Sequence, residues 1–89
     1  MQITIDCQIM TSKASAHEYL QKTLLLPDHY GKNLDALYDC LLDCCEARYV
    51  TICNANILPT LLGNYGLALL ETFEDAAKKN PNLDVKIVD

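Results

Sequence analysis

Residues 26–43 read LPDHYGKNLDALYDCLLD and predict a loop followed by a helix. Pro27 and Gly31 are typical of a loop with a defined path. Asn33 is a typical N-cap residue for a helix that begins at Leu34. The stretch therefore predicts a helix preceded by a rigid loop.

Three aspartates lie four residues apart on this predicted helix, namely Asp35, Asp39 and Asp43. Steps of four residues place them in one slightly slanted stripe. Each like-charged i,i+4 pair costs about 0.2–0.5 kcal/mol, and Asp43 faces the negative end of the helix dipole. The stripe is either a solvated face or a surface where a partner offsets the repulsion. His29 and Tyr38 favour a partner, because polar aromatic residues often anchor interfaces.

The acidic charge of the chain is concentrated around this helix. The formal net charge is −5, and residues 28–46 contain five acidic side chains and a single lysine, Lys32. An acidic surface repels nucleic acid and attracts basic proteins. We therefore expect a basic protein partner and no direct binding of RNA or DNA.

Length and composition predict one globular domain spanning residues 1–89, with 51% hydrophobic residues. No apolar run approaches the roughly 18 residues of a membrane span, and the N-terminus MQITIDCQIM lacks the pattern of a signal peptide. Five cysteines without a Cys-x-x-Cys pair indicate reduced thiols. We expect a cytoplasmic protein that is monomeric when free.

Three strands separated by pairs of helices are predicted along the chain. Alternating apolar residues indicate a half-buried strand over residues 3–9, with Ile9 inward, and further strands over residues 49–53 and 83–88. The helices are expected on one main face, because the first and third strands alternate. The predicted fold is a two-layer α/β domain with a three-stranded parallel sheet and four helices.

The helix boundaries follow from capping residues and breakers. Ser15 followed by Glu18, or alternatively Ser12, is predicted to cap the first helix. A short third helix is expected after Asn56, and a fourth over residues 66–79. His17 lies near the buried side of the first helix, where we expect it to be packed and hydrogen-bonded rather than catalytic.

The segment LPDHYGKNLDALYDCL resembles the signature of the barstar family, intracellular inhibitors of barnase-type bacterial ribonucleases. The resemblance extends more loosely over the whole chain, with small length differences after residue 45, and implies a three-stranded parallel sheet with helices beside it. The signature is matched at Leu26, Pro27, Tyr30, Gly31, Asn33, Leu34, Asp35, Ala36, Leu37, Asp39, Cys40 and Leu41.

The resemblance also implies a mechanism in which the acidic helix plugs the cationic cleft of a ribonuclease. Asp39 would enter the phosphate site, Asp35 would pair with basic groups or main-chain amides at the rim, and His29 would stack against the catalytic histidine of the partner. Surrounding contacts are implied for Gly31, Asn33, Leu34, Tyr38 and Asp75. No bond would be made or broken.

This sequence departs from the family pattern around the two central aspartates. Tyr38 and Cys44 each replace a tryptophan, Asp43 replaces a glycine, and Lys32 replaces an acidic residue. Specificity is set by such surrounding residues. We therefore include Asp43 and Cys44 in the predicted contact surface and expect a ribonuclease related to barnase rather than barnase itself.

Other functions remain open from the residues alone. The same helix could bind another basic protein or a toxin that is not a ribonuclease. A small enzyme using His29 with a cysteine lacks a recognisable nucleophile loop, and a metal site at Cys40 and Cys44 lacks a third ligand placed by the sequence. We predict no catalytic residue, no metal and no cofactor.

Overall fold

The computed structural model describes residues 1–89. Its sheet has the strand order β1-β2-β3, and both pairs of strands are parallel. The prediction of an α/β fold with three parallel strands is confirmed. The strands are β1 (Gln2–Asp6), β2 (Arg48–Cys53) and β3 (Leu83–Ile87).

Four helices connect the strands, two in each crossover, which confirms the predicted order. None of them combines the length and the hydropathy that a transmembrane segment requires. The helices are α1 (Lys13–Thr23), α2 (Leu34–Leu42), α3 (Leu58–Leu62) and α4 (Asn64–Lys79), with short 3₁₀ turns at Cys7–Ile9 and Ala55–Ile57.

The core lies between one face of the sheet and the helices. Ile5 and Ile52 are adjacent in the parallel register, and both are completely buried. Phe73 of α4 is the largest fully buried side chain. The other face of the sheet carries exposed residues such as Thr4 and Lys86. Helices therefore cover one main face, as the alternating strands predict.

The first strand is shorter than predicted, and the inward position expected for Ile9 is wrong. The strand ends at Asp6, whose carboxylate accepts a hydrogen bond from the Gln8 amide at 3.0 Å, while the Asp6 amide donates to the Tyr19 hydroxyl at 2.9 Å. These bonds turn the chain into a 3₁₀ segment. The Ile9 side chain is consequently 50% exposed.

The structure selects one of the two predicted caps of the first helix, and the start of the fourth helix differs from the prediction. Ser12, not Ser15, caps α1, and the two serines exchange reciprocal side chain to backbone hydrogen bonds of 3.0 and 3.1 Å.

Helix α4 begins at Asn64, two residues before the predicted start. Gly66 lies inside its first turn, where a Cβ atom would be 2.7 Å from the Leu58 carbonyl oxygen. Glycine is needed there because α3 and α4 approach closely.

A buried asparagine at the end of α4 closes the C-terminal end of α2. The Asn80 side-chain amide donates to the carbonyl oxygens of Leu41, Leu42 and Cys44 at 2.9, 3.3 and 3.2 Å, and its own oxygen accepts from the Asn82 amide at 3.0 Å. Helix ends leave carbonyls without intrahelical partners. Since α2 has no basic residue in its last turn, Asn80 provides the donors.

We predict that Asn80→Ala lowers the free energy of unfolding by about 1–3 kcal/mol, the cost of leaving buried polar groups unpaired. Urea unfolding followed by circular dichroism measures this as a lower midpoint at an unchanged slope. Asn56→Ala is the matched control, because Asn56 is exposed. Equal midpoints for the two variants would show that Asn80 does not hold the end of α2.

Candidate protein-binding site

The loop between α1 and α2 follows a path that hydrogen bonds define. The Leu26 amide donates to the Gln21 carbonyl at 2.9 Å, and the Tyr30 amide donates to the Pro27 carbonyl at 3.0 Å. The Gln21 side chain donates to the same Pro27 oxygen at 3.0 Å. The loop is therefore fastened to the end of α1 before it enters α2.

The entrance to α2 confirms the predicted N-cap. The Asn33 side-chain oxygen accepts from the Ala36 amide at 2.7 Å, and its NH₂ group donates to the Gly31 carbonyl at 3.2 Å. A Cβ atom on Gly31 would be 3.2 Å from the Ala36 Cβ, so glycine permits a close approach here. Lys32, next to Gly31, has a left-handed backbone, with φ of 54°.

The three aspartates of α2 present an acidic face to solvent. Asp35, Asp39 and Asp43 are all exposed, and Asp43 is the C-cap residue, with its amide donating to the Asp39 carbonyl at 3.1 Å. The side-chain hydrogen bonds around α2 are made by Asn33, Cys45, Asn80 and Asn82, and none involves these carboxylates. We call these three aspartates the acidic stripe.

Most of the other predicted contact residues surround the acidic stripe. His29, Gly31 and Asn33 are exposed in the preceding loop, whereas Leu34 and Tyr38 are half-buried on α2. Leu34 and Tyr38 pack against the hydrophobic core with part of their side chains. The partner contacts expected of these residues remain predictions.

Two predicted contact residues do not lie exposed beside the acidic stripe on α2: Asp75 is on another helix and Cys44 is buried. Asp75 is exposed on α4, the helix that packs against α2. Cys44 is only 9% exposed, and its carbonyl oxygen accepts from Asn80. Its thiol side chain therefore offers a partner little area, because the chain folds back there towards β2.

A buried histidine of α1 holds the loop between α1 and α2 by a hydrogen bond to Tyr30. His17 Nδ1 lies 2.6 Å from the Tyr30 hydroxyl, and Nε2 lies 2.5 Å from the Tyr65 hydroxyl. The prediction of a packed, hydrogen-bonded His17 is confirmed. Its partner Tyr65 could not be identified beforehand, because it lies 48 residues away on α4. The three side chains link α1, the loop and α4.

Burial determines the protonation state of this histidine. It lowers the pKa of His17 and raises the pKa of Tyr30, chiefly by desolvation of the charged forms. A neutral imidazole has one N–H donor and one acceptor nitrogen, so one tyrosine hydroxyl accepts and the other donates. The neutral ring thus satisfies both tyrosines, whereas an imidazolium would have only donors.

The five cysteine side chains differ in their exposure to solvent. All are free, only Cys45 is exposed, and no group of three metal-ligating side chains occurs in the chain. Burial, with smaller contributions from Asp43 and Asp39, raises the pKa of the Cys40 thiol. A protonated thiol is a poor nucleophile, so burial makes the Cys40 thiol less reactive.

An open groove of about 400 Å³ lies beside the acidic stripe. It separates the loop after α1 from the segment that joins α2 to β2. Sequence reasoning missed it, because its walls come from parts of the chain that only the fold brings together. Its lining residues are Leu25, Leu26, Pro27, Cys40, Asp43, Cys44, Cys45, Glu46 and Arg48.

Comparison with known proteins gives a family for this arrangement. The family described as "Barstar (barnase inhibitor)" matches residues 1–88. This chain belongs to the barstar family. A Bacillus subtilis (strain 168) protein named "Putative ribonuclease inhibitor YrdF" is 33% identical over 78 residues, which are 86% of this chain and 86% of that protein. The barstar fold expected from the resemblance is confirmed, and the family description names an inhibitor rather than an enzyme.

We predict that the stability of this barstar-family protein falls as the pH is lowered from about 7.5 to about 5.5. The pKa of His17 is lower in the folded chain, so the unfolded chain gains the proton first. The contribution of neutral His17 to the free energy of unfolding is complete at pH values above the unfolded pKa of about 6.5. It decreases as the pH falls below that value. Urea unfolding at several pH values measures this slope.

The variant His17→Gln should show a smaller loss over the same pH interval, even though it is less stable throughout. His29→Gln is the matched control and should keep the wild-type slope, because His29 is exposed in the loop. An unchanged slope in His17→Gln would mean that another group causes the pH dependence.

Proposed function

We propose that this protein inhibits a basic ribonuclease of the barnase type by inserting the acidic stripe of α2 into the active-site cleft. One observation supports this function above all. Three exposed carboxylates lie along one helix without a hydrogen-bond partner in the chain, on a helix fixed at both ends by asparagine side chains. The family to which the chain belongs supplies the class of partner.

The chemistry of inhibition would be phosphate mimicry. A cleft that binds RNA phosphates carries arginine, lysine and histidine side chains, and carboxylates form short, charge-assisted hydrogen bonds with these groups. Asp39, in the middle of the stripe, would occupy the phosphate position. Asp35 would pair with basic groups or main-chain amides beside it. Cations from the partner would also remove the repulsion along α2.

A rigid helix makes this binding efficient. Asn33 fixes the first turn of α2 and Asn80 its last turn, while Leu37 and Leu41 are completely buried beneath it. Because the carboxylates are already positioned, little conformational entropy is lost on association. Long-range attraction between opposite charges would also accelerate the encounter.

The surrounding contacts would come from the loop and the rim of the helix. His29, which is exposed in the loop, would stack on a partner side chain, and Gly31, Asn33, Leu34 and Tyr38 would complete the contact. Asp75, on the neighbouring α4, would meet a peripheral basic residue. The protein would act in the bacterial cytoplasm as an immunity protein, protecting the cell from its own ribonuclease.

A second candidate is inhibition of a basic protein or toxin with another activity. Asp43 and Lys32 favour it, because both are exposed and both depart from the family pattern around the central aspartates. Changes in such surrounding residues alter which partner is accepted while the central charge pairing is kept. The two candidate functions use the same face of α2 and differ only in the activity of the partner.

We predict that Asp39→Ala weakens inhibition by about 30-fold to several thousandfold, since removing one member of a buried charge pair costs about 2–5 kcal/mol. The complex of barstar with barnase is itself a reference case for that range. The measurement is inhibition of a panel of purified barnase-type ribonucleases, each assayed at low and high salt. Inhibition by the wild-type protein should weaken with salt.

Asp84→Ala is the matched control, because Asp84 is an exposed aspartate on β3, away from α2. It should inhibit like the wild type. Equal loss in the two variants would contradict phosphate mimicry by α2. If none of the ribonucleases is inhibited, the second candidate replaces the first.

A further inference from the structure

The groove beside the acidic stripe has features that the acidic stripe does not explain. Its volume of about 400 Å³ lies at the low end of the range for binding pockets. One wall is apolar and consists of Leu25, Leu26 and Pro27. The opposite wall carries Asp43 and Glu46, which are both exposed. A groove of this kind suits an elongated side chain with an apolar stem and a polar end.

Leu25 is the most exposed large hydrophobic side chain of the molecule, at 66%. It also has a left-handed backbone, with φ of 56°. The hydrogen bond from the Leu26 amide to the Gln21 carbonyl, 2.9 Å long, closes a Schellman turn after α1. Glycine is the common residue at the left-handed position of this turn. Leucine there combines backbone strain with an exposed apolar surface, and neither stabilises the free protein.

The charges of the groove specify the sign of its ligand. Arg48 Nη1 donates to the Leu24 carbonyl at 2.8 Å, so its guanidinium is held at the C-terminal end of α1. The carboxylates of Asp43 and Glu46 have no hydrogen-bond partner within the chain. The groove thus carries two negative charges and one positive charge, and the positive charge is already held at a carbonyl. The open wall is therefore acidic, and it complements a cation.

The groove is continuous with the proposed inhibitory surface. Asp43 belongs to both, because it lines the groove and lies one helical turn beyond Asp39. A protein seated on the acidic stripe would thus extend directly over the groove. Arginine and lysine combine an aliphatic stem with a charged end, which can respectively contact an apolar wall and an acidic one.

We infer that this groove is a second contact site for the basic protein bound by α2, and that it accepts an arginine or lysine side chain from that protein. The aliphatic stem packs on Leu25, Leu26 and Pro27, and the cationic end pairs with Asp43 and Glu46. The inference rests on the proposed function, since it assigns a further contact to the same partner.

A titration of the free protein tests the groove without any ribonuclease. ¹⁵N-labelled protein is titrated with N-acetyl-arginine amide, and separately with the uncharged N-acetyl-citrulline amide, while backbone amide shifts are followed. We expect saturable shifts at Leu25, Leu26 and Glu46 with the arginine probe only. The Leu25→Ala variant should lose them, whereas Leu67→Ala should keep them, since Leu67 is an exposed leucine on α4.

Three outcomes of the titration would overturn the inference. Equal shifts with citrulline would remove the role of charge. Shifts confined to Asp35 and Asp39 would show that the acidic stripe alone attracts the cation. Shifts at the groove with N-acetyl-glutamate amide, and not with the arginine probe, would identify an anion site at Arg48.

Inhibition measurements then connect the groove to the partner. Leu25→Ala should weaken inhibition about five- to tenfold, as expected when a contact residue is truncated, while Leu67→Ala should have no effect. Leu25→Gly should weaken inhibition as well but raise the thermal midpoint by a few degrees, because glycine relieves the left-handed strain. Such opposite effects exclude simple unfolding as the cause.

The two proposals fail in different ways. If Asp39→Ala abolishes inhibition while Leu25→Ala matches Leu67→Ala, the groove makes no contact and the inhibitory function stands. If the wild-type protein inhibits no ribonuclease, the proposed function fails. The arginine titration then still decides whether the groove takes a basic side chain.

Discussion

The buried amide of Asn80 is the interaction on which the arrangement of α2 depends. It joins the end of α4 to the carbonyl end of α2 across 36 to 39 residues of sequence, just before the chain enters β3. A neutral NH₂ group contacts three carbonyl oxygens where a lysine or arginine would ordinarily interact with the helix dipole. The helix can therefore end without a cation, and its exposed face remains entirely acidic.

Burial, rather than helix electrostatics, stabilises this acidic helix. The two like-charged pairs of the acidic stripe cost about 0.4–1 kcal/mol together. Complete burial of one leucine contributes about 1.5–3 kcal/mol, and Leu37 and Leu41 are both completely buried. The core contacts exceed the repulsion several-fold. The chain can thus maintain a row of unpaired carboxylates as a permanent surface feature.

Local patterns in the sequence were sufficient for the three strands, the four helices and the Asn33 cap, because each depends on neighbouring residues. The features that the sequence did not predict depend on hydrogen bonds and contacts between residues that are distant in the sequence. Ile9 is exposed because Tyr19 binds the end of β1, and Tyr65 meets His17 only through the packing of α4. The groove was not predictable, since its walls come from three segments. Leu25 gave no signal either, because a left-handed turn is ordinarily marked by glycine.

The aspartates shared with the family and the groove at Leu25 contribute differently to the choice of partner. Asp35 and Asp39 match the signature of the family, so by themselves they cannot distinguish one cationic cleft from another. Long-range charge mainly sets the association rate, whereas closely packed contacts set the lifetime of a complex. Leu25 adds an apolar surface at the edge of the acidic stripe, at the cost of backbone strain in the free chain. A contact with the partner gives this exposed leucine a role at a left-handed position that glycine would occupy without strain.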